Sequence, residues 1–161
     1  AQQNAARAGF DNIDVRRGLI EDLPVEDASV DWVISNCVIN LSPDKPAVFR
    51  EISRVMKPGA RFSISDIVVG ELPDWIRESA AAWSACVAGA ISEEAYLQGL
   101  RDVGLVDVAV TERLVYDACQ LQAILSEDIP GLDLDRDQIE ALLQEYSGEV
   151  WSAKFSGRKP D

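Results

Sequence analysis

Hydrophobic positions alternate between two spacings along the chain, and the changes of spacing mark the elements. Residues 30–34, Val30-Asp31-Trp32-Val33-Ile34, form a short, nearly continuous β-branched and aromatic run, the pattern of a strand buried on both faces. The run breaks into Ser35-Asn36-Cys37-Val38-Ile39-Asn40-Leu41, and Ser42-Pro43-Asp44 then supplies helix-start signals, because small polar side chains cap free N–H groups and proline is tolerated in a first turn. Val48, Ile52, Val55 and Met56 recur on one helical face before Lys57-Pro58-Gly59 stops the helix. Residues 61–69 return to strand spacing. This is a β-α-β unit, whose right-handed crossover builds a parallel sheet. In open α/β sheets ligands bind outside the carboxyl ends of the strands, which makes residues 35–41 the candidate crevice lining.

The flanks extend the pattern. Residues 1–9 are alanine-rich and amphipathic and close on Gly9, as a helix tail does; residues 12–16 alternate as a short strand; and a loop follows from Gly18 to Pro24. Beyond the unit, helical spacing covers 74–89, 93–103 ending at Gly104, 119–126 and 136–146. Strand spacing covers 106–116 and 149–157, with residues 127–135 as a loop. The chain divides into 1–70 as the C-terminal part of an α/β core, 71–104 as a helical substrate region and 105–161 as closing strands and helices.

Composition adds exclusions. With 161 residues, 47% of them hydrophobic and 27% charged, the chain can bury a core. Its net charge of −13 repels nucleic-acid phosphates and anionic membranes, and its fifteen Lys and Arg form no basic patch. No apolar run approaches the roughly 20 residues that span a bilayer, and no signal segment opens the chain, so a cytoplasmic protein is expected. Cys37, Cys86 and Cys119 form no even framework and no Cys-x-x-Cys pair, and there is no histidine. Reduced thiols are therefore expected, with any chemistry running without imidazole.

Three stretches together carry a resemblance. Gly18-Leu19-Ile20-Glu21-Asp22-Leu23-Pro24, then residues 29–36, then Glu51-Ile52-Ser53-Arg54-Val55-Met56-Lys57-Pro58-Gly59-Ala60 resemble the second half of a class I S-adenosylmethionine-dependent methyltransferase. Ser35-Asn36-Cys37-Val38-Ile39-Asn40-Leu41-Ser42-Pro43-Asp44-Lys45, followed by Glu71-Leu72-Pro73-Asp74-Trp75-Ile76-Arg77 and Trp83-Ser84-Ala85-Cys86-Val87-Ala88-Gly89-Ala90, narrows the resemblance to arsenite methyltransferases. It implies a Rossmann-like sheet lacking its first two strands. It also implies methyl transfer from S-adenosylmethionine to thiolate-bound As(III), with Cys37 and Cys86 as arsenic-holding and catalytic residues. Trivalent arsenic is soft and prefers thiolates, and its lone pair attacks a methyl without any proton being removed. Ile20 and Glu21 would border the adenine, and Asn36 and Cys37 the methionine part of the cofactor.

Departures from the family pattern set further expectations. Leu19 stands where many class I enzymes place an aspartate, Cys119 matches no family cysteine and reads as helix-cap or core packing, and Trp75 and Trp83 read as core ahead of substrate wall. The ten glycines form no Gly-x-Gly-x-Gly turn, and the family's more N-terminal arsenic cysteine is absent from the chain. It reads as beginning inside the helix after the second strand, with slow or absent turnover. In the family's sheet order, 3-2-1-4-5-7-6, the strand at 30–34 then has a bare edge, which invites a homo-dimer or a sheet-completing partner half. Two other readings stay open: a non-enzymatic module, and a methyltransferase for another small molecule.

Overall fold

A computed structural model describes residues 2–70, 87, 89–124 and 144–161. Helix α1 (Gln2–Arg7) ends at Gly9, whose φ of 71° is the left-handed turn that glycine adopts without penalty. Strand β1 (Val30–Asn36) leads through a 3-10 turn (Ile39–Leu41) into α2 (Lys45–Val55), and β2 (Met56–Val69) returns parallel to β1. The β-α-β unit is thus present. Its helix starts where the polar signals lie, with the Asp44 carboxylate accepting the Ala47 N–H at 2.9 Å and Pro46 in the first turn. Helix α3 (Glu93–Asp102) is capped by Ser92 and closes before Gly104, at φ 84°. Strand β3 (Val106–Val115), helix α4 (Ala118–Ile124) and strand β4 (Val150–Arg158) complete the described elements.

The sheet order is β1-β2-β4-β3, with β4 antiparallel to both neighbours. One face carries Phe62, Ile64 and Val68 of β2 and Ala153 and Phe155 of β4, covered by Val48, Phe49 and Ile52 of α2 and Tyr96 and Leu100 of α3. The ring of Tyr96 stacks on Phe155 at 4.2 Å and meets Phe49 edge-on at 5.1 Å, a contact of the kind aromatic quadrupoles favour. A smaller cluster joins Ile67, Val69, Val87, Ala90, Leu121 and Val150.

Several expectations are corrected. Residues 12–16 are not a strand: Ile13 is exposed and no described strand lies beside them to complete a ladder, and an alternating pattern alone leaves N–H and C=O groups unpaired. Strand β1 is not buried on both faces. It pairs only with β2 among the described residues, leaving Trp32 54% and Ile34 78% exposed. Lys57-Pro58-Gly59 does not separate helix from strand, because β2 already begins at Met56 and absorbs the three residues in a register irregularity, with Gly59 at φ 76°. Cys119 is exposed on the first turn of α4, so core packing does not apply to it. The expected helix at 74–89, the loop at 127–135 and most of the helix at 136–146 lie outside the described residues, as do Trp75, Trp83 and Cys86. Among the described residues no helix is long and apolar enough to cross a membrane.

Candidate functional site

The carboxyl end of β1 and the loop that follows it form the candidate site. Loop 19–24 reaches it from one side, held by α2. The Arg54 guanidinium donates to the carbonyls of Val25 (2.9 Å) and Leu23 (3.0 Å) and to the carboxylates of Asp27 and Glu51. Glu51 in turn accepts the Leu23 N–H at 2.8 Å. This guanidinium, hydrogen-bonded to Glu51, holds the Glu51 carboxyl below its ordinary value. The loop is thereby fixed with Ile20 half-buried against the main core and Glu21 accepting a short hydrogen bond from the Ser42 hydroxyl. Ser42 also accepts from the Asp44 N–H at 3.1 Å, so one hydroxyl joins loop 19–24 to the start of α2.

Cys37 follows β1 directly. Its N–H donates to the Ser65 carbonyl at 2.9 Å, and its φ of 51° is left-handed, a conformation that non-glycine residues keep only where their surroundings hold them. The side chain is half-buried and packs against the second cluster, together with Tyr116. Burial, and then the negative charge of Asp66, push the Cys37 thiol up. Burial, and then Cys37, likewise push the Tyr116 phenol up. Asn36, the last residue of β1, is exposed.

Beneath the loop lies a buried polar group that sequence reasoning missed. Asp66 of β2 has no exposure, and burial pushes its carboxyl up to about 6 against the pull of its hydrogen bonds. It accepts from the Ile67 N–H (3.0 Å) and from the Tyr96 hydroxyl (3.3 Å). Asn40, also fully buried, donates its side-chain amide to the Ile67 carbonyl at 2.6 Å. Lys45 is buried at the start of α2 and directs its ammonium to the carbonyls of Ser42 (3.2 Å) and Asn40 (3.5 Å), and burial lowers its pKa despite the opposing charge of Asp66. A sequence signal for Asp66 did exist. It occupies the register position of Ile64 and Val68, on the core face of β2, where an acidic residue is rare without partners.

The structure therefore brings Ile20, Glu21, Asn36 and Cys37 to one end of the sheet, while Cys86 is outside the described residues. Val87, the residue after it, is buried in the cluster on which Cys37 packs. Among the described residues no group of three or more Cys, Asp or Glu side chains is placed to hold a metal ion. Ile20 presents a half-buried apolar flank beside the Glu21 carboxylate, and no Gly-x-Gly-x-Gly turn occurs in the chain.

A parallel β-α-β pair extended by an antiparallel strand inserted before the outermost one is the 4-5-7-6 half of the class I methyltransferase sheet. The chain belongs to the methyltransferase domain family, whose model matches residues 1–104. It is similar to the arsenite methyltransferase of Halobacterium salinarum, with 36% identity over 99% of this chain and 37% of that protein. The arsenite methyltransferase of Aquipseudomonas alcaligenes is 39% identical over 68% of this chain and 33% of its own length. The chain thus spans 33% to 37% of the length of these relatives. Among solved structures, an arsenic(III) S-adenosylmethionine methyltransferase from Chlamydomonas reinhardtii superposes with a TM-score of 0.63 at 32% identity, covering 89% of this chain and 42% of that one.

Proposed function

We propose that this chain carries the thiol substrate site of an arsenite methyltransferase, with Cys37 and Cys86 holding As(III) at the carboxyl end of the sheet. The observation that carries the reading is the place of Cys37, half-buried and in a left-handed turn directly beyond the carboxyl end of β1.

The raised pKa of the Cys37 thiol is compatible with this chemistry. As each As–S bond forms, the thiol proton leaves with a hydroxide of arsenous acid as water, so no free thiolate need accumulate. Two thiols leave one position of the pyramidal arsenic for water or an external thiol, and its lone pair, opposite the three bonds, stays available as the nucleophile. S-adenosylmethionine, when bound, supplies an electrophilic sulfonium methyl. Ile20 would lie against its adenine ring and Glu21 near the amino edge, with Asn36 and Cys37 beneath the methionine part. Since arsenic attacks through its own lone pair, these residues contribute by positioning, holding arsenic and methyl at near-attack distance.

Titration of As(III) against tryptophan fluorescence, with Cys37→Ser and Cys86→Ser alongside, tests the site. The wild-type response is expected to disappear in both variants, and a response surviving in both excludes a shared thiol site. The edge of β1, which pairs only with β2 among the described residues and leaves Trp32 and Ile34 exposed, favours pairing with a second copy or with a sheet-completing segment.

A further inference from the structure

We propose that Ser42 is a positioning residue that joins the two loops at the carboxyl end of the sheet through Glu21, so that As(III) taken up at Cys37 also steadies loop 19–24, the other wall of the site. The proposal rests on the reading of Cys37 as an arsenic ligand. Residues 37–42 form one hydrogen-bonded unit on β2. The Cys37 N–H donates to the Ser65 carbonyl (2.9 Å) and the Asn40 side-chain amide to the Ile67 carbonyl (2.6 Å), while the Leu41 and Ser42 N–H groups donate to the carbonyls of Val38 (3.1 Å) and Ile39 (3.0 Å). Loop 19–24 is tied to α2 in its second half, where Arg54 donates to the Leu23 carbonyl and Glu51 accepts the Leu23 N–H. Its first half has the packing of Ile20 on the core and one internal bond, from the Asp22 N–H to the Leu19 carbonyl (3.2 Å). Among the described residues, the hydrogen bond from the Ser42 hydroxyl to Glu21 is what ties this half to residues 37–42. Ser42 is 3% exposed, and a hydroxyl has a single proton to donate. That proton goes to Glu21, while the oxygen accepts the Asp44 N–H at 3.1 Å. The start of α2 has its own cap in Asp44, which accepts the Ala47 N–H. The hydroxyl proton therefore works between the loops, in a charge-assisted bond stronger than one to a neutral acceptor, and ordering one loop lowers the cost of ordering the other.

Residue-resolved hydrogen exchange on the full chain, with and without sodium arsenite, tests this in Ser42→Ala, Ser42→Thr and Glu21→Ala, with β4 as internal reference. Without arsenite, Ser42→Ala and Glu21→Ala are each expected to speed exchange at the Asp22 amide about tenfold with β4 unaltered. Combining the two should go no further than either alone, because they remove one and the same bond. Glu21→Ala leaves the Ser42 oxygen in place for the Asp44 N–H, so an effect common to both variants belongs to the link between the loops and not to the start of α2. Ser42→Thr keeps a hydroxyl and should stay within about twofold of wild type. With arsenite, slower exchange at the Cys37 amide is expected in every variant, whereas slower exchange at Asp22 is expected in wild type and Ser42→Thr alone. An Asp22 amide unaltered in both alanine variants, a rise shared equally by β4, or additive effects on combination would overturn the link. Arsenite that slows Cys37 but not Asp22 in wild type, or that slows Asp22 equally in the alanine variants, overturns the positioning role. If Ser42→Ala does not fold, Glu21→Ala decides by the same criteria. No arsenite response at Cys37 in wild type defeats the arsenic site, while exchange without arsenite still judges the link.

Discussion

The ionisation of Asp66 should be readable as a pH dependence of stability that one substitution removes. Its carboxyl is raised from 3.8 to about 6 in the folded protein, so the folded chain takes up this proton before the unfolded chain does. The resulting stability is complete below about pH 4 and is lost as pH rises through about 6. That interval is worth about 3 kcal/mol, an upper figure because water penetration softens buried charges. The groups facing Asp66 do not obscure it. Lys45 from α2 is common to both proteins, and the Tyr96 phenol from α3 and the Cys37 thiol from the loop, both pushed up, stay neutral. Glu51 and Glu93, held low by Arg54 and Arg113, titrate below their ordinary 4.5 and contribute equally to both proteins. Asp66→Asn cannot ionise and should sacrifice about 1 kcal/mol of hydrogen bonding at every pH. It is expected to be slightly less stable than wild type at pH 4 and about 2 kcal/mol more stable at pH 7.5. Urea unfolding followed by circular dichroism at the two pH values gives the difference directly. A gap between variant and wild type that is the same at both, or that shifts toward wild type at pH 7.5, refutes the burial of an ionisable carboxylate at this position.

Other substitutions probe the framework around the site. A Cβ at Gly99 would stand 2.5 Å from the Phe49 ring, which Tyr96 blocks from retreating, so Gly99→Ala should lower stability by about 1–3 kcal/mol despite its better helix propensity; a thermal melt at or above the wild-type value contradicts this. Arg54→Gln should release loop 19–24 from α2, seen as faster hydrogen exchange at residues 23–27 with β4 unchanged. If the β1 edge pairs with a second copy, Trp32→Glu with Ile34→Lys should shift the chain to monomer in light scattering while its circular dichroism stays that of wild type; a wild-type chain already monomeric at micromolar concentration rules that pairing out.

What the sequence disclosed of the fold was what local spacing controls. The run 30–34, the Asp44 cap, the apolar face of α2 and the glycines at 9 and 104 each state their element within a few residues, and all four appear in the structure. The misreadings share another cause. Alternation at 12–16 and the apolar run at 30–34 look the same whether or not a neighbouring strand lies alongside, so neither the absence of a strand at 12–16 nor the exposure of Trp32 and Ile34 can be read from spacing.

The candidate site divides along the same line. Cys37 stood out because it follows a strand and opens a loop, whereas Cys86 was distinguishable from a helix-packing cysteine only through family resemblance. Asp66 shows where a purely physical reading had more to offer. Period-two spacing assigns Ile64, Asp66 and Val68 to one face of β2, and that face is the core. A carboxylate there requires donors, and the structure supplies the Ile67 N–H from its own strand and the Tyr96 hydroxyl from the helix that covers the sheet. An acidic residue on the core face of a strand therefore points, from spacing alone, to a polar side chain on the covering helix, here Tyr96, placed to meet it.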